Sequence, residues 1–338
     1  MDDYPLSPGS AKEGERVLVT GGAGYIGSHT CKALAAAGFI PICYDSLELG
    51  HAHAVRWGPL EEGELSDTSR LLAVIKDHRP ASVIHFAAYS LVGPSLSTPL
   101  DYYRNNVGGA ISLLEAMEEN GVKRLVFSSS CAVYGNPIEE RLGEDRPCTP
   151  ITPYGRSKLM IEQMLADQAR SHGLHYATLR YFNAAGADPA GELGEEHQPE
   201  THLIPLAIAA ALGGPPLTLF GSDYKTPDGT AIRDYIHVSD LAEAHLRALE
   251  LLGGEGGGHV LNLGTGQGHS VLEVIRMVEE ISGRKVPFTS APRRPGDPPR
   301  LVADPRHGQN LLNWRPSRSS LREIIHTAWN WHLSLNSS

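Results

Sequence analysis

The stretch Arg16-Val17-Leu18-Val19-Thr20-Gly21-Gly22-Ala23-Gly24-Tyr25-Ile26-Gly27 decides the fold of this chain. Its first five residues, rich in β-branched and aliphatic types, predict a short strand over 16–20. Glycines break that strand, and over 24–38 the positions Ile26, Thr30, Ala33, Leu34 and Ala37 recur at helical intervals. Gly38 is placed to end the helix. A strand that turns through glycines into a helix aims the helix's first N–H groups at the space above the turn, a ready site for phosphate. Gly21, Gly24 and Gly27 stand in a G-x-x-G-x-x-G spacing rather than the commoner G-x-G-x-x-G. A second strand is expected over 40–44, with Asp45 at its end. A carboxylate there can accept both hydroxyls of an adenosine ribose and would repel a 2′-phosphate, so the reading is NAD rather than NADP.

The alternation continues outward from this unit. Helices are expected over 66–78, 101–119 and 154–171, and strands over 82–87, 124–128 and 175–181. Near-continuous apolar strands between helices predict an α/β fold, a Rossmann-type doubly wound parallel sheet covered on both faces. After residue 183 the rhythm loosens into Pro/Gly-rich segments between helical patterns at 203–212, 239–252, 270–282 and 319–332. The organisation expected is a lead-in over 1–14, an NAD-binding domain over 15–182, and a smaller α/β substrate region over 183–338. Segments near 233–264 return to the first domain.

Composition narrows the function. The 338 residues carry 29 basic and 39 acidic side chains, a formal net charge of −10, which argues against nucleic acid as a partner. The most apolar run, 203–212, is too short to span a bilayer, and the N-terminus lacks a basic segment followed by an apolar one. Cys31, Cys43, Cys131 and Cys148 show no C-x-x-C spacing and read as reduced thiols of a cytoplasmic protein. Sixteen histidines are scattered without H-x-x-x-H spacing, so no metal is expected.

Two further features carry chemistry. Tyr154 and Lys158 lie at i and i+4, hence on one helix face, behind a Thr152-Pro153 start that puts Tyr154 in the first turn. A nearby ammonium and a helix N-terminus favour the phenolate of a tyrosine that would otherwise be no base at neutral pH. Upstream, the expected strand runs into Ser128-Ser129-Ser130, and the carboxyl ends of parallel strands face the ligand crevice. Serine, tyrosine and lysine together make a proton-transfer unit.

With these residues in place, the chain resembles the extended short-chain dehydrogenase/reductase superfamily and, within it, the UDP-glucose (UDP-galactose) 4-epimerases. The likeness runs from about residue 16 to about 332. It rests on VTGGAGYIGSHT (19–30), VIHFAA (83–88), YYRNNV (102–107), SSSCAVYG (128–135), PYGRSK (153–158), LRYFNAAGA (179–187), RDYIHVSDLA (233–242), LNLGTG (261–266) and APRRPGD (291–297). The resemblance implies epimerisation at C4 of a UDP-hexose through a 4-keto sugar, with NAD tightly retained, in a cytoplasmic homodimer. It implies Ser130, Tyr154 and Lys158 as catalytic residues. Gly21, Gly24, Tyr25, Ile26, Gly27, Asp45, Glu64, Leu65, Phe86, Ala87, Ala88, Asn105, Ser130, Tyr154, Lys158 and Phe182 would line the NAD site. Ser130, Tyr154, Asn183, His202, Leu203, Phe220, Arg233, Arg294, Asp297 and Leu301 would hold the UDP-sugar, with Leu301 beside the hexose.

Three positions depart from the family pattern. Ser90 stands where some members have a lysine, Glu64 replaces an aspartate near the adenine, and Thr201-His202-Leu203 replaces Asn-Asn-Leu, with His202 able to substitute or simply to pack. Other UDP-sugars (UDP-N-acetylglucosamine, UDP-xylose, UDP-glucuronate) remain alternative substrates. A 4,6-dehydratase is disfavoured because Ser130-Cys131-Ala132 offers no acid, and a catalytically silent NAD sensor because the three catalytic residues are intact.

Overall fold

The computed structural model describes residues 14–335 except 138, 255 and 295; the lead-in expected over 1–14 falls almost wholly outside them. Its centre is a seven-stranded sheet. The strands β1 (Arg16–Thr20), β2 (Ile40–Asp45), β3 (Leu60–Glu62), β4 (Ser82–His85), β5 (Arg124–Ser130), β6 (His175–Tyr181) and Gly258–Leu263 stand in the order 258–263, β6, β5, β4, β1, β2, β3. Every neighbouring pair is parallel. The chain builds outward from β1 to β3 and then crosses to β4, so the order reverses between β1 and β4, where such sheets bind ligands.

Side chains alternate across each strand, and each face has its own core. Val17, Val19 and Ile84 pack with Leu34 of α1 (Tyr25–Ala36) and with Leu241 and Leu249 of the helix Val238–Gly254. Leu18 and Val83 face the other way, onto Leu71 of α2 (Thr68–His78), Leu113 of the helix Gly109–Glu119 and Ile161 of the helix Pro153–His172. A third apolar layer joins the helices Leu203–Ala211, Val271–Ser282 and Leu321–Leu335 to the strand Leu217–Phe220. Trp329 lies in that layer, whereas Trp314 belongs to the core of the main sheet.

The helix expected over 101–119 is not continuous. A short helix Pro99–Tyr102 passes through a π-helical turn, Tyr103–Gly108, into Gly109–Glu119. Gly108 and Gly109 weaken α-helical propensity at the break. Gly109 is fixed by packing, since a Cβ there would lie 2.7 Å from the Leu65 Cβ. Asn106, fully buried in the wide turn, accepts from the Tyr89 N–H at 2.8 Å and donates to the Tyr89 carbonyl and the Ser157 hydroxyl. Wide turns of this kind concentrate at functional sites.

Candidate active site

Three glycines shape the turn after β1 for different reasons. Gly21 has φ +74°, and a Cβ on it would stand 2.6 Å from the Ala87 nitrogen. That close approach brings 86–88 onto the turn, with the Phe86 and Ala87 N–H groups both donating to the Thr20 carbonyl. A Cβ on Gly27 would meet the Gly21 carbonyl oxygen at 2.1 Å, so Gly27 lets α1 seat against the turn. Gly24 is different: a Cβ there would have one neighbour within 4 Å, the Gly21 oxygen at 3.4 Å. Gly24 caps α1 without a side-chain hydrogen bond, and no acidic residue stands in the first turn. Unpaired N–H groups beside open space suit a pyrophosphate, so these residues fit a dinucleotide.

Asp45 closes the other side of the turn. Its carboxylate accepts from the Ala23 N–H at 3.0 Å and the Leu47 N–H at 2.9 Å. Burial raises its pKa, and these two donors oppose the rise. Tyr25 turns its side chain away from the loop, donating to the Gly186 carbonyl at 2.6 Å, and contributes only backbone to the phosphate side. Ile26 and Phe86 pack against the sheet core, Phe86 with its ring 4.6 Å from that of His245. Leu65 is buried, Ala87 and Ala88 are half-buried, and Glu64 and Ser90 are exposed. Asn105 donates to the Asn106 side-chain oxygen, and Phe182 lies in a buried cluster with Val133, Tyr134 and Leu142.

The helix Pro153–His172 starts as its sequence demands, with the Thr152 hydroxyl accepting from the Gly155 N–H and proline in the first turn. Tyr154, Lys158 and Ser130 at the end of β5 are all buried, and the Ser130 hydroxyl accepts from the Ala132 N–H at 3.2 Å. The Lys158 Nζ donates to the Ser128 carbonyl at 2.8 Å and sits 5.9 Å from the Tyr154 ring centroid. Burial pushes the phenol well above its ordinary pKa, reinforced by Tyr181 and opposed by the neighbouring Ser130 hydroxyl. Burial brings the Lys158 amine down to about 7, opposed by Glu162. In the protein alone, desolvation opposes the phenolate that the Lys158 ammonium and the helix N-terminus favour.

The other serines serve the frame. Ser128 hydrogen-bonds the Tyr181 phenol at 2.7 Å, and Ser129 donates to Glu162 at 2.5 Å. Glu162 also takes Arg180, with both side chains buried and Nε–Oε1 3.0 Å apart, and Arg180 donates to Tyr134, which donates to Asn262. Such a network is rigid because every member is satisfied. Sequence reading missed Glu162, although 154, 158 and 162 form one four-residue stripe on a helix. Asn106 and Tyr181, which also brace the site, left no comparable signal.

The second region brings a cationic patch to the crevice. Arg233 donates to Asp297 and to the Pro298 carbonyl, and Arg294 lies 3.2 Å from the same Asp297 and 5.1 Å over the Phe220 ring. One carboxylate orients two guanidiniums, leaving an excess positive charge of the kind that takes a diphosphate bidentately. Leu301 pairs in register with Arg233 and packs, half-buried, in the Phe182 cluster. Asn183 donates to the Asp234 carbonyl, and Leu203 opens the helix Leu203–Ala211 against the third apolar layer. His202 stands apart from the arginine group: its Nδ1 faces Glu195 and Glu200. The structure thus gathers the loop, the Ser–Tyr–Lys group and the arginine patch around the carboxyl ends of the strands and leaves His202 on separate partners.

Fold and site define a dinucleotide-binding α/β protein with a buried serine, tyrosine and lysine at the carboxyl ends of its strands. The chain belongs to the NAD dependent epimerase/dehydratase family, whose model matches residues 17–264. It is 51% identical over 324 residues to the UDP-glucose 4-epimerase of Rhizobium leguminosarum bv. trifolii, covering 96% of this chain and 99% of that protein. The crystal structure of the Brucella ovis UDP-glucose 4-epimerase in complex with NAD superposes with a TM-score of 0.91 at 52% identity, covering 94% of this chain and 98% of that one. The Bifidobacterium longum UDP-glucose 4-epimerase in complex with NAD+ and UDP gives 0.90 at 36% identity, with 94% and 98% covered.

Proposed function

We propose that this chain interconverts UDP-glucose and UDP-galactose by inverting C4 of the hexose, with NAD retained between turnovers. The observation that carries the reading is the buried Ser130–Tyr154–Lys158 group beside the glycine turn, in a chain aligned end to end with 4-epimerases. NAD is held by the α1 N-terminus, Asp45, residues 86–88, Asn105 and Lys158, and when bound it supplies a reversible hydride acceptor for C4. Tyr154 takes and returns the O4 proton, directly or through Ser130, and Lys158 orients the phenol from the same helix face. Arg233 and Arg294, set by Asp297, grip the diphosphate with Asn183, Leu203 and Phe220 around the nucleotide, so the sugar can turn over its other face without leaving.

The carboxylates near this site are already committed, which supports an epimerase over a dehydratase. Glu162 is paired with Arg180, and Asp234 accepts from the Thr265, Gly266 and Ala303 N–H groups. Proton NMR of UDP-galactose incubated with purified protein, no cofactor added, is expected to show the anomeric signal of UDP-glucose growing to a constant ratio. A dehydrated keto product, or turnover only with added NADP, would overturn the reading.

We propose two regions dividing near residue 182, with the helix Val238–Gly254 and the strand Gly258–Leu263 completing the first. Cytoplasmic residence is inferred from four unpaired cysteines, and no helix among the described residues is long and apolar enough to cross a membrane. A homodimer is proposed through the helical face near residues 92–119 and 153–172. Ala110, Leu114 and Met117 are excluded from it because they are buried in the chain's own core. Val92 and Leu96 of the helix Val92–Ser97, with Leu100, Ile111 and Met160, are the exposed apolar side chains that such a face would use. Sedimentation at micromolar concentration is expected to give twice the chain mass, falling to one in Leu100→Glu/Ile111→Glu; a wild-type monomer would refute it.

A further inference from the structure

We propose that Glu195, His197, Glu200 and His202 form a site for a borderline divalent cation of the zinc class, fastening the segment that leads into the helix Leu203–Ala211. The four side chains each present one ligand atom, and these atoms lie within 4.8 Å of one another. The His202 Nδ1 is 2.7 Å from Glu195 Oε1 and 2.9 Å from Glu200 Oε1; the His197 Nδ1 is 3.1 Å from Glu195 Oε1 and 3.9 Å from Glu200 Oε2. Zinc bonds of about 2.1 Å in a tetrahedron require ligand atoms about 3.4 Å apart, which lies inside that spread.

The chemistry of the set selects the ion. Two neutral imidazoles and two carboxylates carry a charge that one divalent cation neutralises, and imidazole nitrogen favours zinc, cobalt or nickel over magnesium or calcium. Glu195 is nearly inaccessible, with 7% of its side chain exposed, while His202 at 45% leaves an entry path. Glu200 is fixed by its Oε1, which accepts the N–H groups of Thr201 and His202. Both histidine rings turn the same atom, Nδ1, toward the one Glu195 oxygen. Small outward shifts of the two rings from these hydrogen-bond distances would open the space that a four-coordinate ion takes.

The placement gives the ion a structural task. His197 packs edge-on against Tyr25, 6.4 Å between centroids, in the first turn of α1. His202 immediately precedes Leu203. An ion here ties the cofactor helix to the start of the substrate region, whether or not the catalytic reading above is right. A neighbouring trio, His51, His53 and Glu196, is more exposed and contains no buried carboxylate, and it serves as the control.

The test uses the NAD-containing protein stripped with a chelator and reloaded with Co2+. One ion per chain is expected, with visible bands of a four-coordinate nitrogen–oxygen site, no thiolate charge-transfer band, and displacement by Zn2+. Binding is expected to vanish in His197→Asn and in Glu200→Gln and to persist in His53→Asn. Far-ultraviolet circular dichroism and NAD content establish that each variant is folded; should Glu200→Gln misfold, His197→Asn alone decides. No retained Co2+ or Zn2+ in the wild type would reduce the cluster to an ion-pair network of protonated imidazoles and overturn the proposal. Loss of the ion in His53→Asn but not His197→Asn would overturn it equally.

Discussion

At the scale of single residues, Tyr154 and Leu301 make separable claims. Tyr154 is buried beside the end of β5, and on the proposed function removing its oxygen takes away the group that exchanges the O4 proton and little of the substrate grip. Tyr154→Phe is expected to lower kcat at least ~100-fold, the usual lower bound for a general base, with KM nearly unchanged. Progress curves on UDP-galactose check it, and a wild-type rate would move the role to another residue. Leu301 stands beside Arg233 in the Phe182 cluster. Forcing an acetamido group against a packed leucine costs roughly 1–3 kcal/mol, on the order of 5- to 150-fold in kcat/KM. UDP-N-acetylglucosamine is therefore expected to be a poor substrate, and Leu301→Ser to narrow the gap; equal kcat/KM for both sugars in wild type and variant would show that Leu301 gates nothing.

At the scale of elements, legibility followed how local the determining contacts are. The turn after β1, the start of the helix Pro153–His172 and the strand His175–Tyr181 were readable because glycine spacing, a Thr-Pro cap and apolar runs act within a few residues. The π turn at Tyr103–Gly108 was not, since its buried Asn106 answers to Tyr89 and Ser157, distant in sequence. Glu195, His197, Glu200 and His202 lie within eight residues, yet no regular spacing marks them, and only the fold of that loop turns both Nδ1 atoms onto Glu195. Glycine roles at the turn separate by the same logic. Gly27→Ala drives a methyl into the Gly21 carbonyl and is expected to lower stability by roughly 1–3 kcal/mol. Gly24→Ala has room, so its stability is expected to stay within about 0.5 kcal/mol while the methyl obstructs the space over the α1 N–H groups. Urea midpoints and the adenine absorbance released by acid would distinguish them: Gly24→Ala stable but poor in NAD, Gly27→Ala unstable. Equal NAD content in Gly24→Ala and wild type would remove the phosphate-site role.

At the scale of the whole molecule, buried imidazoles set how the fold meets acid. Burial lowers His29 and His245 to about 4, and His85 and His237 to about 3, from an ordinary 6.5. Each is nearly inaccessible, and His29 and His245 each keep a ring nitrogen without a partner. In the unfolded chain these groups take up protons near pH 6.5; in the folded chain they resist until about pH 4 or below. The unfolded state therefore binds more protons through that window, so the contribution is full above pH 6.5 and is lost as pH falls. The raised carboxyls of Asp45 and Asp234 act in the opposite sense and temper the slope. His245 gives the cleanest reading, because its ring packs between Phe86 and Tyr181 and its one hydrogen bond goes to the Leu241 carbonyl of its own helix. His245→Leu keeps an apolar side chain there and deletes one titrating group. Urea midpoints measured from pH 6.5 down to about 5 are expected to fall for the wild type and to fall less for His245→Leu. The difference between their slopes is expected to approach about 1.4 kcal/mol per pH unit, the free energy of one proton. Parallel slopes would mean that His245 is already protonated in the folded protein, and burial would then not be what governs its charge.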